Sequence, residues 1–182
     1  MHYCDYTATL PLDNPHRRYH DHEYGYPIAE DDRLFERLVF EINQAGLSWT
    51  TILNKADNLR RAYDHFAIAR VAAYGEADIV RLLADAGIIR NRRKIAAAIH
   101  NARVIRELQA AHGSFRAWLD AQAGADKAAW VKLFKKTFAF TGPEITGEFL
   151  MSSGYLEGAH RRDCPVYTQI LAAHPRWLTG GR

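Results

Sequence analysis

Leu82-Leu83-Ala84-Asp85-Ala86-Gly87-Ile88-Ile89-Arg90-Asn91-Arg92-Arg93-Lys94 is a helix end, a glycine break and the basic opening of a second helix. Upstream, Val80, Leu82 and Leu83 supply apolar residues to a helix over 79–85, with Asp78 expected at its cap. Downstream, Ile95, Ala98, Ile99, Ala102 and Ile105 recur at helical spacing through about Ala111, and His112-Gly113 is an ordinary helix stop. Gly87 lets the backbone turn and approach a ligand closely. The free N–H groups that open the second helix favour an anion. Arg90, Arg92, Arg93 and Lys94 add charge beside them. Such a unit can hold a DNA phosphate without reading a base. An αα-corner with a solvated basic face is the plainer alternative.

Outward from this hairpin the chain is helical throughout, with no β-alternation and no repeat. Asp31 or Asp32 can cap a helix through about Ala45. Further helices are expected over 50–53, 60–66, 68–74, 114–122 and 128–136. Pro143 suits the first turn of a helix over 144–153. The last residues, Thr179-Gly180-Gly181-Arg182, are expected to fray.

Within the helix ending near Ala45, Leu34, Leu38, Glu41 and Ala45 share one stripe. A carboxylate on such an inward face needs a partner or a purpose. Gly46 and Trp49 follow it, so a pocket for a flat polar ligand can form at this helix end. The plainer alternative is pairing with Arg37 at i−4 or escape to solvent.

Hydrophobic residues make up 48% of the 182, enough for a core in a single domain. Net charge is +3, which permits nucleic acid as a partner without requiring it. No apolar run reaches membrane-spanning length, and the first twenty residues are polar, so a cytoplasmic protein is expected. The two cysteines, Cys4 and Cys164, join His20 and His160 in a candidate Cys2His2 set. Two thiolates and two imidazoles would fill the tetrahedron of one structural zinc and tie the terminal regions together. His16 and His22 are rival ligands.

Taken together, these segments resemble the 3-methyladenine DNA glycosylase I family. The resemblance rests on Cys4, Tyr19-His20-Asp21, Glu23, Gly25, and Glu41 with Gln44-Ala45-Gly46-Leu47-Ser48-Trp49. It continues through Asp85-Ala86-Gly87-Ile88-Ile89-Arg90, Lys94-Ile95, Asn101-Ala102, Phe140-Thr141-Gly142-Pro143 and His160-x3-Cys164. It implies an all-α helix-hairpin-helix DNA glycosylase fold in one domain, 1–182. The helical core would span about 31–155, with zinc-linked terminal segments 1–25 and 156–175. It implies base-excision repair by hydrolysis of the N-glycosidic bond of an alkylated purine, 3-methyladenine first, in double-stranded DNA. Cys4, His20, His160 and Cys164 would hold one zinc per chain. Glu41 would be the central pocket acid, Tyr19 and Trp49 its base-stacking companions, and Gly46 and Leu47 the tip entering the duplex. Gly87, Ile89, Arg90, Arg92 and Lys94 would line the DNA-facing hairpin.

The sequence departs from the family pattern at Tyr6, His16 and Tyr24, of which Tyr6 and His16 fall where a base would stack. The segment Lys135–Phe140 lacks an expected glycine. A different or bulkier alkylated base is therefore an alternative, as is a non-catalytic lesion-binding module. From Ala86 to Ala111 there is no Asp, and Glu107 is the sole acid, which reads as a solvated helix residue. No Lys after the hairpin is placed for a Schiff base. A monofunctional enzyme without strand cleavage, acting as a monomer, is expected.

Overall fold

A computed structural model describes residues 2–179; of the C-terminal run expected to fray, only Thr179 lies within that range. Among the described residues the regular elements are all helical. They are α1 (Tyr3–Ala8), α2 (Pro15–His22), α3 (Asp31–Gln44), α4 (Trp49–Ala62), α5 (Ile68–Ala72) and α6 (Glu76–Ala84). There follow α7 (Arg92–His112), α8 (Phe115–Asp120), α9 (Lys127–Thr137), α10 (Pro143–Ser152), α11 (Pro165–Ala172) and α12 (Arg176–Thr179).

α3 is the axis of the core. Every residue from Leu34 to Asn43 is buried, so this helix is enclosed on all sides. Leu34, Phe35, Leu38, Val39 and Ile42 are wholly inaccessible, each contributing about 1.5–3 kcal/mol of burial. α4, α7, α8 and α10 pack around it. A separate small cluster joins Cys4 to Cys164, Val166 and Ile170, where the terminal segments meet.

Several local expectations are corrected. Asp31 and Asp32 do not cap α3, whose N-cap, Glu30, makes no side-chain bond. Asp31 instead accepts the N–H groups of Phe115 (2.8 Å) and Arg116 (2.9 Å), capping α8. Asp32 accepts the Ile68 N–H (3.0 Å), capping α5. The helices expected over 50–53 and 60–66 are one helix, α4, followed by a 3-10 turn at Asp64–Phe66. Asn54, Asp57 and Asn58 are poor helix formers, but buried Ile52 and Leu59 hold the segment to the core. Asp78 stands in the first turn of α6 and returns its carboxylate to the Gly75 N–H (3.1 Å).

The segment without the expected glycine places Phe140 itself at φ +62°. That conformation is costly for a side chain, and the surroundings enforce it. Asn101 donates to the Ala139 carbonyl (3.0 Å) and accepts the Ala139 N–H (2.8 Å), clamping the residue just before.

Candidate active site

Glu41 emerges from the enclosed axis into a cavity of about 410 Å³ lined by Tyr3, Tyr19, Tyr24, Gln44, Trp49, Glu144 and Glu148. It is 4% exposed, and no hydrogen-bond donor reaches its carboxylate among the described residues. Burial pushes its pKa up to about 8, with Arg37 opposing the shift and Glu148 adding to it. Pairing with Arg37, the plainer alternative, is not the arrangement found. The Arg37 guanidinium donates to the Tyr19 hydroxyl (2.9 Å) and the Glu23 carboxylate (3.2 Å), and lies 4.9 Å from the Tyr19 ring centre.

The aromatic wall is assembled from three segments. Tyr19, on α2, stands 5.0 Å from Trp49 and 5.5 Å from Tyr24, centre to centre. Tyr3, on α1, meets Tyr24 edge to face at 5.7 Å. Trp49 opens α4, and its indole Nε1 is buried without a partner. Tyr3 and Tyr24 were not among the residues expected here; both lie in terminal segments whose fold carries little periodic signal. Tyr6 and His16 are not part of this wall. Tyr6 is exposed. His16 sits behind Tyr3, with Nδ1 3.0 Å from the Tyr3 hydroxyl and Nε2 2.8 Å from Thr50 Oγ1. Glu144 and Glu148 were also missed; a Glu pair at i, i+4 just after a proline reads as a solvated helix start.

The turn after α3 presents Gly46 at φ +78° with exposed Leu47 at its tip. Lys94, which the sequence allows as either phosphate-facing or structural, takes the structural place: it is buried and points inward. Its ammonium donates to the carbonyls of Asn43 (2.7 Å) and Ala45 (2.6 Å), closing the C-terminus of α3. It therefore braces the turn carrying Gly46 and Leu47.

Between α6 and α7, Gly87 has no left-handed backbone; it needs to be small. A Cβ there would lie 3.0 Å from Asp85 Oδ1 and 3.1 Å from Asn58 Nδ2. Its N–H is committed to Asp85 (2.7 Å), and its carbonyl accepts from Lys55 (3.1 Å) and Asn58 (3.3 Å). Among the described residues no protein acceptor meets the N–H groups of Ile89, Arg90 or Arg92. Arg90 is exposed, and Arg92 pairs with Glu76 at 2.7 Å. Glu107 is exposed on α7, away from the cavity lining.

Cys4, His20, His160 and Cys164 are all buried, with their ligand atoms within 4.8 Å of one another. Cys4 Sγ and Cys164 Sγ lie 3.8 and 3.7 Å from His160 Nδ1, and Cys164 Sγ lies 3.7 Å from His20 Nε2. A tetrahedral zinc with ordinary bond lengths needs S···N edges of about 3.6 Å. Both outer imidazole nitrogens are held, His20 Nδ1 by Asp21 (2.7 Å) and His160 Nε2 by the Tyr24 carbonyl (2.7 Å). Burial depresses the His160 pKa to about 4, keeping the ring neutral as a ligand must be. Of the rival ligands, His16 is engaged elsewhere and His22 is exposed.

The model of the family described as methyladenine glycosylase matches residues 10–132. DNA-3-methyladenine glycosylase 1 of Escherichia coli is 33% identical over 186 aligned residues, covering 92% of this chain and 97% of the relative. A crystal structure of 3-methyladenine DNA glycosylase I superposes with TM-score 0.76 at 34% identity, covering 86% of this chain and 96% of that one. A Staphylococcus aureus structure, described as showing the basis of 3-methyladenine recognition, gives TM-score 0.80 at 29% identity, with coverage of 91% and 97%.

Proposed function

Since the chain belongs to the methyladenine glycosylase family, we propose that it hydrolyses the N-glycosidic bond of 3-methyladenine in double-stranded DNA, as a monomeric, single-domain, monofunctional repair enzyme. The observation that carries this reading is Glu41, a buried carboxylate without a protein partner, set in the wall of an aromatic cavity.

A base inside a duplex must be extruded before such a cavity can receive it, and a damaged base unstacks at lower cost. Leu47, exposed on the turn that Lys94 braces, is positioned to fill the space a flipped base leaves. The unpartnered N–H groups of Ile89, Arg90 and Arg92 suit a backbone phosphate beside it. Once inside, an adenine alkylated at N3 is a cation and already a good leaving group. Tyr19 and Trp49 can stack on it, with cation–π attraction of about 0.5–2 kcal/mol. The Glu41 carboxyl is largely neutral in the empty cavity near pH 7, because its pKa is raised to about 8. A cationic base lowers that value, so Glu41 gives up its proton and accepts from the exocyclic amino group as a carboxylate.

The Cys2His2 group fits one structural zinc in ligand type and spacing, with Asp21 and the Tyr24 carbonyl steadying the two imidazoles. Zinc would supply no step of the reaction; Cys4, His20, His160 and Cys164 would hold the terminal segments that carry the tyrosines. Metal analysis of protein purified without chelator should find about one zinc per chain; none would remove this part of the reading.

The decisive test is incubation with methylated duplex DNA and chromatographic identification of the released base. Free 3-methyladenine without strand scission is expected, and no released base would overturn the proposal. Release of a different or bulkier alkylated base is the second reading. Tyr24 bears on it, as a cavity-lining residue at a position where the sequence departs from the family pattern.

A further inference from the structure

We propose that Glu148 is a specificity-determining residue: a second pocket carboxylate, on a different helix from Glu41, by which the cavity prefers a positively charged base over its neutral counterpart. This deepens the glycosylase reading and rests on it.

Glu148 projects from α10 into the cavity that Glu41 enters from α3. It is fixed to the aromatic wall, since the Tyr24 hydroxyl donates to its Oε2 at 3.2 Å. Tyr24 in turn packs on Tyr19 and Tyr3, so the acid is indexed to the surfaces on which a base would stack. Its carboxyl is pushed above the ordinary range mainly by burial.

The neighbouring cation is placed to moderate this charge without cancelling it. Gly147 lies inside α10, where glycine costs the helix stability. A Cβ there would come within 2.9 Å of Lys127 Cε and 3.0 Å of its Nζ. The glycine therefore lets the Lys127 side chain lie across the helix beside Glu148. Yet Lys127 forms no ion pair with Glu144 or Glu148 within 4.0 Å among the described residues. Arg37, the other nearby cation, is spent on Tyr19 and Glu23. Three carboxylates, Glu41, Glu144 and Glu148, thus border a cavity in a protein of net charge +3. A neutral base entering it would strip water from these acids and return only the hydrogen bonds of its amino group. A cationic base would replace that water with its own charge, and each acid it meets widens the gap between the two.

The test is equilibrium binding at pH 8.5 of two small ligands, 3,9-dimethyladeninium, a permanent cation, and 9-methyladenine, its neutral counterpart. Glu148→Gln should weaken cation binding about tenfold, the scale of losing one unit charge at a partly buried site. Binding of the neutral ligand should stay within about twofold, because it has no charge for the lost carboxylate to meet. Circular dichroism checks the fold, and Glu148→Ser serves if the Gln variant does not fold. Equal weakening of both ligands, or no change in either, overturns the assignment. The two levels of inference fail differently. If the unmodified protein releases 3-methyladenine and prefers the cation, but Glu148→Gln prefers it equally, only the Glu148 role falls. If the unmodified protein releases no base, the glycosylase reading falls with it.

Discussion

Replacing Glu41 by Gln should make the protein more stable and less active, with the gain in stability depending on pH. An unfolded glutamate ionises near 4.5, whereas Glu41 in the folded chain ionises near 8. Below pH 4.5 both states carry the proton and the group costs nothing. Between the two values the unfolded chain loses its proton while the folded chain keeps it, so stability falls as pH rises. Above pH 8 both are ionised and the cost is constant. At 1.36 kcal/mol per pH unit, this interval sets a ceiling of about 5 kcal/mol. Water in the open cavity solvates part of the charge, and a realised value of about 2–3 kcal/mol is expected. Gln has no such titration. Urea unfolding of both proteins at half-unit steps from pH 4 to pH 9 gives the difference curve directly. Ionisations common to both proteins cancel in it. It should be near zero at pH 4, climb through neutrality and level off above pH 8, while base release by the variant falls. A flat difference curve would refute the reasoning, since Glu41 would then be no more buried electrostatically than a surface acid.

Lys94→Met should cost about 2–4 kcal/mol in urea unfolding, because it leaves the Asn43 and Ala45 carbonyls without their donor. DNA binding by that variant should keep its salt dependence, whereas a phosphate-facing lysine would lower the slope. Arg90→Ala should reduce the slope of log affinity against log salt by about one, as expected for one lost phosphate contact; an unchanged slope would place Arg90 off the DNA path. At position 140 the usual preference should invert. With φ at +62°, Phe140→Gly should be more stable than Phe140→Ala by about 1 kcal/mol in denaturant titration, and the opposite order would mean the backbone relaxes.

Legibility in the sequence followed how locally each feature is determined. Glu41 stood out because its own helix supplies the apolar stripe around it, and the Cys2His2 set because the two thiols have few other roles. α4 does not read as one helix because Asn54, Asp57 and Asn58 weigh against a helix locally, while burial of Ile52 and Leu59 decides the matter from a distance. The caps made by Asp31 and Asp32 are invisible for the same reason, since their acceptors serve helices more than 30 residues away. Lys94 shows that a basic run does not reveal which of its members faces inward. Tyr3, Tyr24 and Glu148 reach the cavity only through tertiary contacts, and nothing periodic in their segments marks them.

The Cys2His2 group lies directly behind the aromatic wall. Tyr3 precedes Cys4, Tyr19 precedes His20, and His160 holds the Tyr24 carbonyl. Three of the cavity's rings are thus tethered to a junction whose partners lie as far as 160 positions apart in the chain. During synthesis, nearly everything proposed to bind DNA, from the Leu47 turn to the Arg90 loop, leaves the ribosome well before Cys164. The support that a Cys2His2 zinc would give the tyrosines proposed to receive a base would stay incomplete until that cysteine arrives, leaving them their bonds to Arg37 and Glu148. A growing chain would therefore be able to touch DNA before it could act on it.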